Sequence, residues 1–231
     1  MILGLTDHPA ANCFVELDDA LSQLTTRTVV LNAHAFPDLI PEGAVVMQTE
    51  SVPEQIFNTL SYLQERNEVW DISARNAEHY TPTHVVPIGH HASMERFTPV
   101  EPEYDIVFTG CLNTRRAKVL NALAERGLVV AYVGVGMYGA ERDAILARSR
   151  LAINMLWEPG RIFPSLRVAH LVSNRVPVLS ERCVDGWSFV PTCPYEDLVD
   201  VAERVVRDGA RAQENAAYSL EEFRKMPLVL P

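Results

Sequence analysis

The chain has 231 residues, 48% of them hydrophobic and 22% charged, with a formal net charge of −10. That composition can bury a substantial core as one large or two small domains, and the acidic balance works against a broad electrostatic footprint for nucleic acid or an anionic membrane. No apolar run approaches the ~20 residues that span a bilayer, and the opening MILGLTDHPAANCF has neither a basic leader nor a cleavage-type small-residue site, so a cytoplasmic location is expected.

In chain order, the pattern predicts an apolar strand at Ile2–Leu5, a polar turn at Thr6, Asp7 and His8, and an amphipathic segment over 12–25. Strands follow at Thr28–Leu31 and Ala44–Gln48, then a helix from Pro53, a residue suited to a first helical turn. Two further short strands are expected at Glu68–Asp71 and His84–Pro87. The stretch Ser93–Glu103 has two prolines, mixed charge and no periodicity, the composition of a linker, and a domain boundary is placed there, giving units 1–98 and 99–231.

The second unit alternates more cleanly: strands at Asp105–Thr109, Leu128–Val133, Leu151–Met155 and Pro177–Ser180, with helices at Thr114–Arg126, Glu141–Ala147 and Pro164–Ser173, closed by helices at Tyr195–Val206 and Arg211–Phe223. Its strand-like runs give way directly to Gly, Asn, Arg or Ser and then to a helical pattern, which is how a parallel sheet presents polar loops at its ligand-binding carboxyl edge. Two Rossmann-like α/β halves facing across a cleft are the expected architecture. Cys13, Cys111, Cys183 and Cys193 form no C-x-x-C pair and no zinc-like spacing with histidine, so reduced, mostly buried thiols are expected.

The ordered blocks VVMQTE, EVWDIS with Asn76 close behind, HVVPIGH, FTGCLNTRR, GMYGAERD and RIFPSLRVAHLVSNRVPVLSE resemble the CgeB-like glycosyltransferases of the GT-B fold, over 45–181. The resemblance implies transfer of a sugar from a nucleotide-diphosphate sugar, a UDP-sugar by expectation. The donor would lie in the second domain and the acceptor against a short first domain. It implies no cofactor besides the donor as co-substrate and no metal, in keeping with the absence of a D-x-D motif in the sequence.

A diphosphate brings about two negative charges into a cleft and calls for backbone N–H groups at a helix start plus a guanidinium. In FTGCLNTRR, Gly110 allows close backbone approach, Asn113 stands at a helix start, and Arg115 and Arg116 supply charge; a capped helix with two solvated arginines would read the same. In GRIFPSLR, Pro164 suits a first helical position, so the amides of Ser165 and Leu166 would be free, with Arg167 a turn on. Ser165 and Arg167 are the favoured diphosphate contacts. Relatives of this pattern carry a ribose-holding glutamate where this chain has His170. Tyr138, between the turn residues Gly136 and Gly139, is expected to present an aromatic face to base or ribose.

Leaving-group stabilisation falls to the arginines and helix amides, and deprotonation of the acceptor hydroxyl to a first-domain carboxylate: Asp7 first, Glu50 second. An Asx-turn before Pro9 is an equal reading of Asp7. His90 and His91 stand where the two domains should meet and are candidate sugar contacts. The acceptor is left open among a glycan, a small molecule and a hydroxymethylated base in DNA, the last disfavoured by the acidic balance. A nucleotide-sugar epimerase and a non-catalytic nucleotide-sugar-binding subunit are the alternatives from other classes.

Overall fold

The computed structural model describes residues 15–31, 33–35 and 37–231. The expected strand Ile2–Leu5, together with Asp7, His8 and Cys13, lies outside the described residues. Helix α1 (Val15–Leu24) buries Leu17, Ala20 and Leu21, an i, i+3, i+4 stripe that faces the core. The first sheet is parallel throughout, in the order β1 (Val29–Leu31), β2 (Val45–Gln48), β3 (Glu68–Asp71), β4 (His84–Val85). Its register sets Val30 beside Val46 and Met47 beside Trp70. All four residues of β2, Gln48 included, are buried, as in a strand covered on both faces. Helix α2 (Glu54–Gln64) makes the crossover between β2 and β3.

The second sheet is also parallel, in the order β6 (Val130–Val133), β5 (Tyr104–Thr109), β7 (Ser149–Asn154), β8 (Val178–Glu181), β9 (Thr192–Cys193). Helices α3 (Thr114–Glu125), α4 (Gly139–Ala147) and α5 (Ser165–Ser173) make the crossovers; α6 (Leu198–Arg207) and α7 (Gly209–Arg224) follow β9. The expected single helix from Tyr195 divides into a 3₁₀ turn, Tyr195–Asp197, and α6. Pro53 and Pro164 each stand one residue before their helix instead of within its first turn. From β5 the chain passes to β6 on one side and then returns across β5 to β7 on the other. The switch point of the sheet therefore lies between the carboxyl ends of β5 and β7, where such sheets open a crevice for ligands.

One apolar cluster joins the two halves, running from Leu21, Met47, Trp70 and Met94 to Leu171, Val172 and Phe223. The connection between the sheets is fastened rather than loose. Asn174 Oδ1 accepts from the amides of Arg96 and Phe97 at 2.6 and 2.9 Å, and its Nδ2 donates to Met94 O at 2.9 Å. After α7 the chain pairs with the same connection: the His90 amide donates to Met226 O at 2.6 Å and the Leu228 amide to His90 O at 2.9 Å. Gly89 is dictated by this contact, since a Cβ there would come within 2.5 Å of the Pro227 backbone.

Candidate functional site in the cleft between the sheets

At the switch point, β5 runs out into Gly110, whose φ of +122° only glycine adopts readily. The space a side chain would fill is taken by Arg167 of α5, whose Nη2 would lie 2.9 Å from a Cβ on Gly110. Arg167 Nη1 donates to Asn154 Oδ1 at 3.1 Å at the end of β7, and Asn154, fully buried, donates in turn to Ser180 Oγ at 2.9 Å at the end of β8. The guanidinium carbon sits 5.7 Å from the Phe108 ring centroid. Burial first, and then the charge of Arg116, pull the Arg167 guanidinium down to about 10, while Glu50 acts in the opposite direction. It stays cationic at neutral pH with a neutral amide as its partner. A half-buried cation whose hydrogen-bond partner is a neutral amide, with the Glu50 carboxylate the opposing charge nearby, gains from an arriving anion.

The other arginines expected at the donor are engaged elsewhere. Arg115 forms a two-pronged ion pair with Glu181, at 2.8 and 2.5 Å, and lies 3.6 Å above the Tyr195 ring centroid. Arg116 is buried and donates to three backbone carbonyls, Leu156 at 3.3 Å, Cys111 at 2.8 Å and Met155 at 2.7 Å, which ties the loop after β5 to the loop after β7. Asn113 is the N-cap of α3: its Oδ1 accepts from the Arg116 amide at 2.9 Å and its Nδ2 donates to Trp157 O at 2.7 Å. These three residues tie the loops of the site together, and Arg116 also lines the larger cleft cavity.

Ser165 stands apart from the main cleft cavities. Its amide donates to Phe163 O at 2.7 Å. The amides of Leu166 and Arg167 have no acceptor among the described residues, so the open N–H groups fall one residue later than expected. His90 pairs with Glu95 at 3.0 Å and meets the Phe223 ring edge-on; His91 caps the 3₁₀ turn Ala92–Met94, accepting from the Ser93 amide at 3.3 Å. Neither lines those cavities, so the expected sugar contact of either histidine has no support in their placement.

Two cavities flank Arg167. One, of about 180 Å³, lies toward α4 and is walled by Thr109, Gly110, Val133, Met137, Tyr138 and His170, with Glu16 reaching in from α1. The other, of about 430 Å³, lies between the loop after β2 and the loop after β7, walled by Glu50, Ser51, Ile56, Trp157, Arg161 and Leu166. Glu50, Cys111 and Arg167 line both. Glu50 is exposed, and its carbonyl is fixed by Gln48 Nε2 at 3.2 Å and Asn76 Nδ2 at 2.9 Å, so the first sheet holds this carboxylate on the cleft face. Cys111, expected buried, is exposed there, while Cys193 is buried.

His170 is 3% exposed; its Nε2 lies 2.8 Å from Asp143 Oδ1, and its Nδ1, 3.8 Å from Glu16 Oε1, has no hydrogen-bond partner. Glu16 accepts from both terminal nitrogens of Arg142 at 3.3 and 3.0 Å. Asn154, Glu16 and Arg142 escaped the sequence reading. A polar residue closing the apolar run LAIN was a usable signal for Asn154; nothing local marks Glu16. Among the described residues no helix is long and apolar enough to cross a membrane.

No family model matches the chain. It is similar to Uncharacterized protein L140 of Acanthamoeba polyphaga mimivirus, 26% identical over 112 residues, 45% of this chain and 37% of the relative. Uncharacterized protein L137 of the same virus is 21% identical over 206 residues, 82% of this chain and 28% of the relative. The chain thus spans well under half the length of these curated relatives. Among solved structures it is similar to the α,α-trehalose 6-phosphate synthase from Burkholderia multivorans, with a TM-score of 0.50 and 10% identity over 95% of this chain and 72% of that one. It is also similar to AviGT4, a glycosyltransferase involved in avilamycin A biosynthesis, with a TM-score of 0.46 and 16% identity over 95% and 79% of the two chains. The synthase likeness concerns the fold, and it agrees with the two-sheet GT-B architecture expected from the sequence.

Proposed function

We propose that this chain is a metal-independent glycosyltransferase of the CgeB-like GT-B type that uses a nucleotide-diphosphate sugar, a UDP-sugar first among them. The observation that carries this reading is Arg167: a half-buried guanidinium whose hydrogen-bond partner is a neutral amide, at the sheet's switch point, beside the open amides of Leu166 and Arg167. A diphosphate satisfies all three groups. The nucleoside then falls in the cavity of Tyr138 and His170, and the acceptor in the cavity of Glu50 and Trp157.

In transfer, the bond between the anomeric carbon and the diphosphate oxygen breaks, and its electron pair leaves with the nucleotide. Arg167 and the helix amides are placed where that charge develops. The acceptor oxygen bonds to the anomeric carbon and gives up its proton to a cleft carboxylate. Of the two candidates, Glu50 faces the cleft and Asp7 lies outside the described residues. A thermal-shift screen of nucleoside diphosphates and their sugars tests the reading: one nucleotide should raise the melting temperature of wild type and not of Arg167→Ala. Equal shifts in both proteins, or none with any nucleotide, would sink it. Binding without turnover on any acceptor would favour the nucleotide-sugar-binding subunit.

A further inference from the structure

Beyond the acceptor cavity the cleft continues into a third cavity of about 240 Å³, which shares Ser51, Arg161 and Ile162 with it. Its walls are polar. The first sheet contributes Arg75, Asn76 and His79 from the turn after β3, and the loop after β7 contributes Glu158 to Ile162. Arg75 stands out because its Nη1 is buried and has no hydrogen-bond partner. The carboxylate nearest to it in sequence on the N-terminal side, Asp71, is engaged by Tyr80 at 2.7 Å, by Asn76 at 3.1 Å and by the Ser73 amide at 2.8 Å. Glu158 is the one carboxylate on this cavity's wall among the described residues, and Arg161 pairs with it at 2.5 Å. The wall therefore carries a net positive charge, with Arg75 in no ion pair among the described residues; its Nη1 is closed off from the cavity, so a ligand would meet its other N–H groups. A guanidinium so placed suits a two-pronged contact with a phosphate or carboxylate.

We propose that this cavity binds an anionic group, a phosphate monoester or a carboxylate, carried by the acceptor sugar, with Arg75 as its main contact and Arg161 beside it. The assignment of the bound molecule as acceptor rests on the glycosyltransferase reading; the anion site itself does not. Isothermal titration with glucose 6-phosphate, glucuronate and neutral glucose tests it, on wild type, Arg75→Gln and Arg167→Ala, each with and without UDP. Wild type should bind at least one anionic sugar and bind glucose at least tenfold more weakly. Arg75→Gln should lose at least tenfold toward the anionic sugar and keep its UDP affinity, and the two anionic sugars show which group is preferred. Arg167→Ala should show the reverse pattern.

If Arg75→Gln does not fold, Arg161→Gln probes the same wall, since it leaves Glu158 uncompensated and should weaken anion binding severalfold. The inference is overturned if wild type binds neither anionic sugar, or if Arg75→Gln and Arg161→Gln bind it as tightly as wild type. Arg75-dependent binding of an anionic sugar in a protein that ignores every nucleotide would leave the anion site standing and remove the glycosyltransferase reading instead.

Discussion

Arg142 on α4 holds both carboxylate oxygens of Glu16 on α1, at 3.3 and 3.0 Å across 126 residues of sequence, and both residues are buried. The pair fastens the helix that precedes the first sheet onto α4 beside the second sheet, at the wall of the smaller cleft cavity. Arg142 Nε also donates to Asp143 Oδ1 at 3.0 Å, so removing Glu16 leaves Arg142 paired with Asp143, at a cost up to the ~3–5 kcal/mol of breaking an isolated buried pair. Glu16→Gln should therefore destabilise strongly in urea unfolding. The double change Glu16→Leu with Arg142→Met should cost much less, because it removes both charges together. Equal losses in the two variants would show that the pair acts through packing alone.

Asp143 makes part of this cluster pH-sensitive. Burial would raise its carboxyl, but the hydrogen bond and charge of His170, followed by Arg142, more than offset burial and hold it below the ordinary carboxylate value. A carboxylate depressed in the folded state stabilises the fold above its unfolded value of ~3.9 and loses that contribution as pH falls through the folded value. Asp71 has the opposite sign: burial dominates and raises it. Wild type should accordingly lose stability below about pH 4, and Asp143→Asn should flatten that acid limb while lowering stability at pH 7. Melting temperatures between pH 3 and 7 measure both, and an unchanged acid limb would contradict the account.

Arg116 and Arg167 lie close together but should respond oppositely to removal. Arg116 satisfies three buried carbonyls, and Arg116→Ala should cost at least about 2 kcal/mol. Arg167 has one neutral hydrogen-bond partner and is half-buried, so Arg167→Ala should fall within about 0.5 kcal/mol of wild type, or above it, while donor binding disappears. Chemical unfolding paired with nucleotide titration separates the two. If Arg167→Ala unfolds as readily as Arg116→Ala, Arg167 is a structural residue.

Gly110→Ala tests the same guanidinium from the other side. The new Cβ would sit 2.9 Å from Arg167 Nη2 on a backbone with φ of +122°, so it both strains the chain, by about 1–3 kcal/mol, and displaces the cation. Nucleotide affinity should fall at least tenfold. Gly136→Ala also carries positive φ, but its Cβ would meet nothing within 4 Å, so it should show the strain without the affinity loss.

These contrasts also show what could be read from the residues. Strands such as VVMQ and EVWD are legible from their apolar residues, since a parallel strand covered on both faces must fill both, and Arg167 stands out because helix starts and guanidinium groups have fixed chemistry. The hydrogen bonds of Arg115 and Arg116 are not legible because sequence cannot show whether a guanidinium meets solvent, a carbonyl or Glu181. That outcome depends on residues 39 to 66 positions away. The open amides lie one residue on from those expected, because Pro164 precedes the helix and the Phe163 carbonyl takes the Ser165 amide. Glu16 and Arg142 meet only after both halves have folded, so no local pattern could pair them.

Glu50 is the remaining prediction, and its geometry makes it a sharp one. The carboxylate lines both main cleft cavities and contributes charge at Arg167, while its backbone is held by Gln48 and Asn76. A general base in this position removes a proton in the transition state without holding the donor, so Glu50→Gln should lower turnover by ~10²–10⁴-fold. Nucleotide affinity should change little, because the amide keeps the shape of the wall. A carboxylate that instead serves to orient Arg167 would produce the reverse: weakened donor binding in Glu50→Gln with kcat retained at saturating donor. Measuring kcat and KM for the donor in the same variant distinguishes the two roles. Full activity in Glu50→Gln would return the base assignment to Asp7, where Asp7→Asn is the next variant to assay.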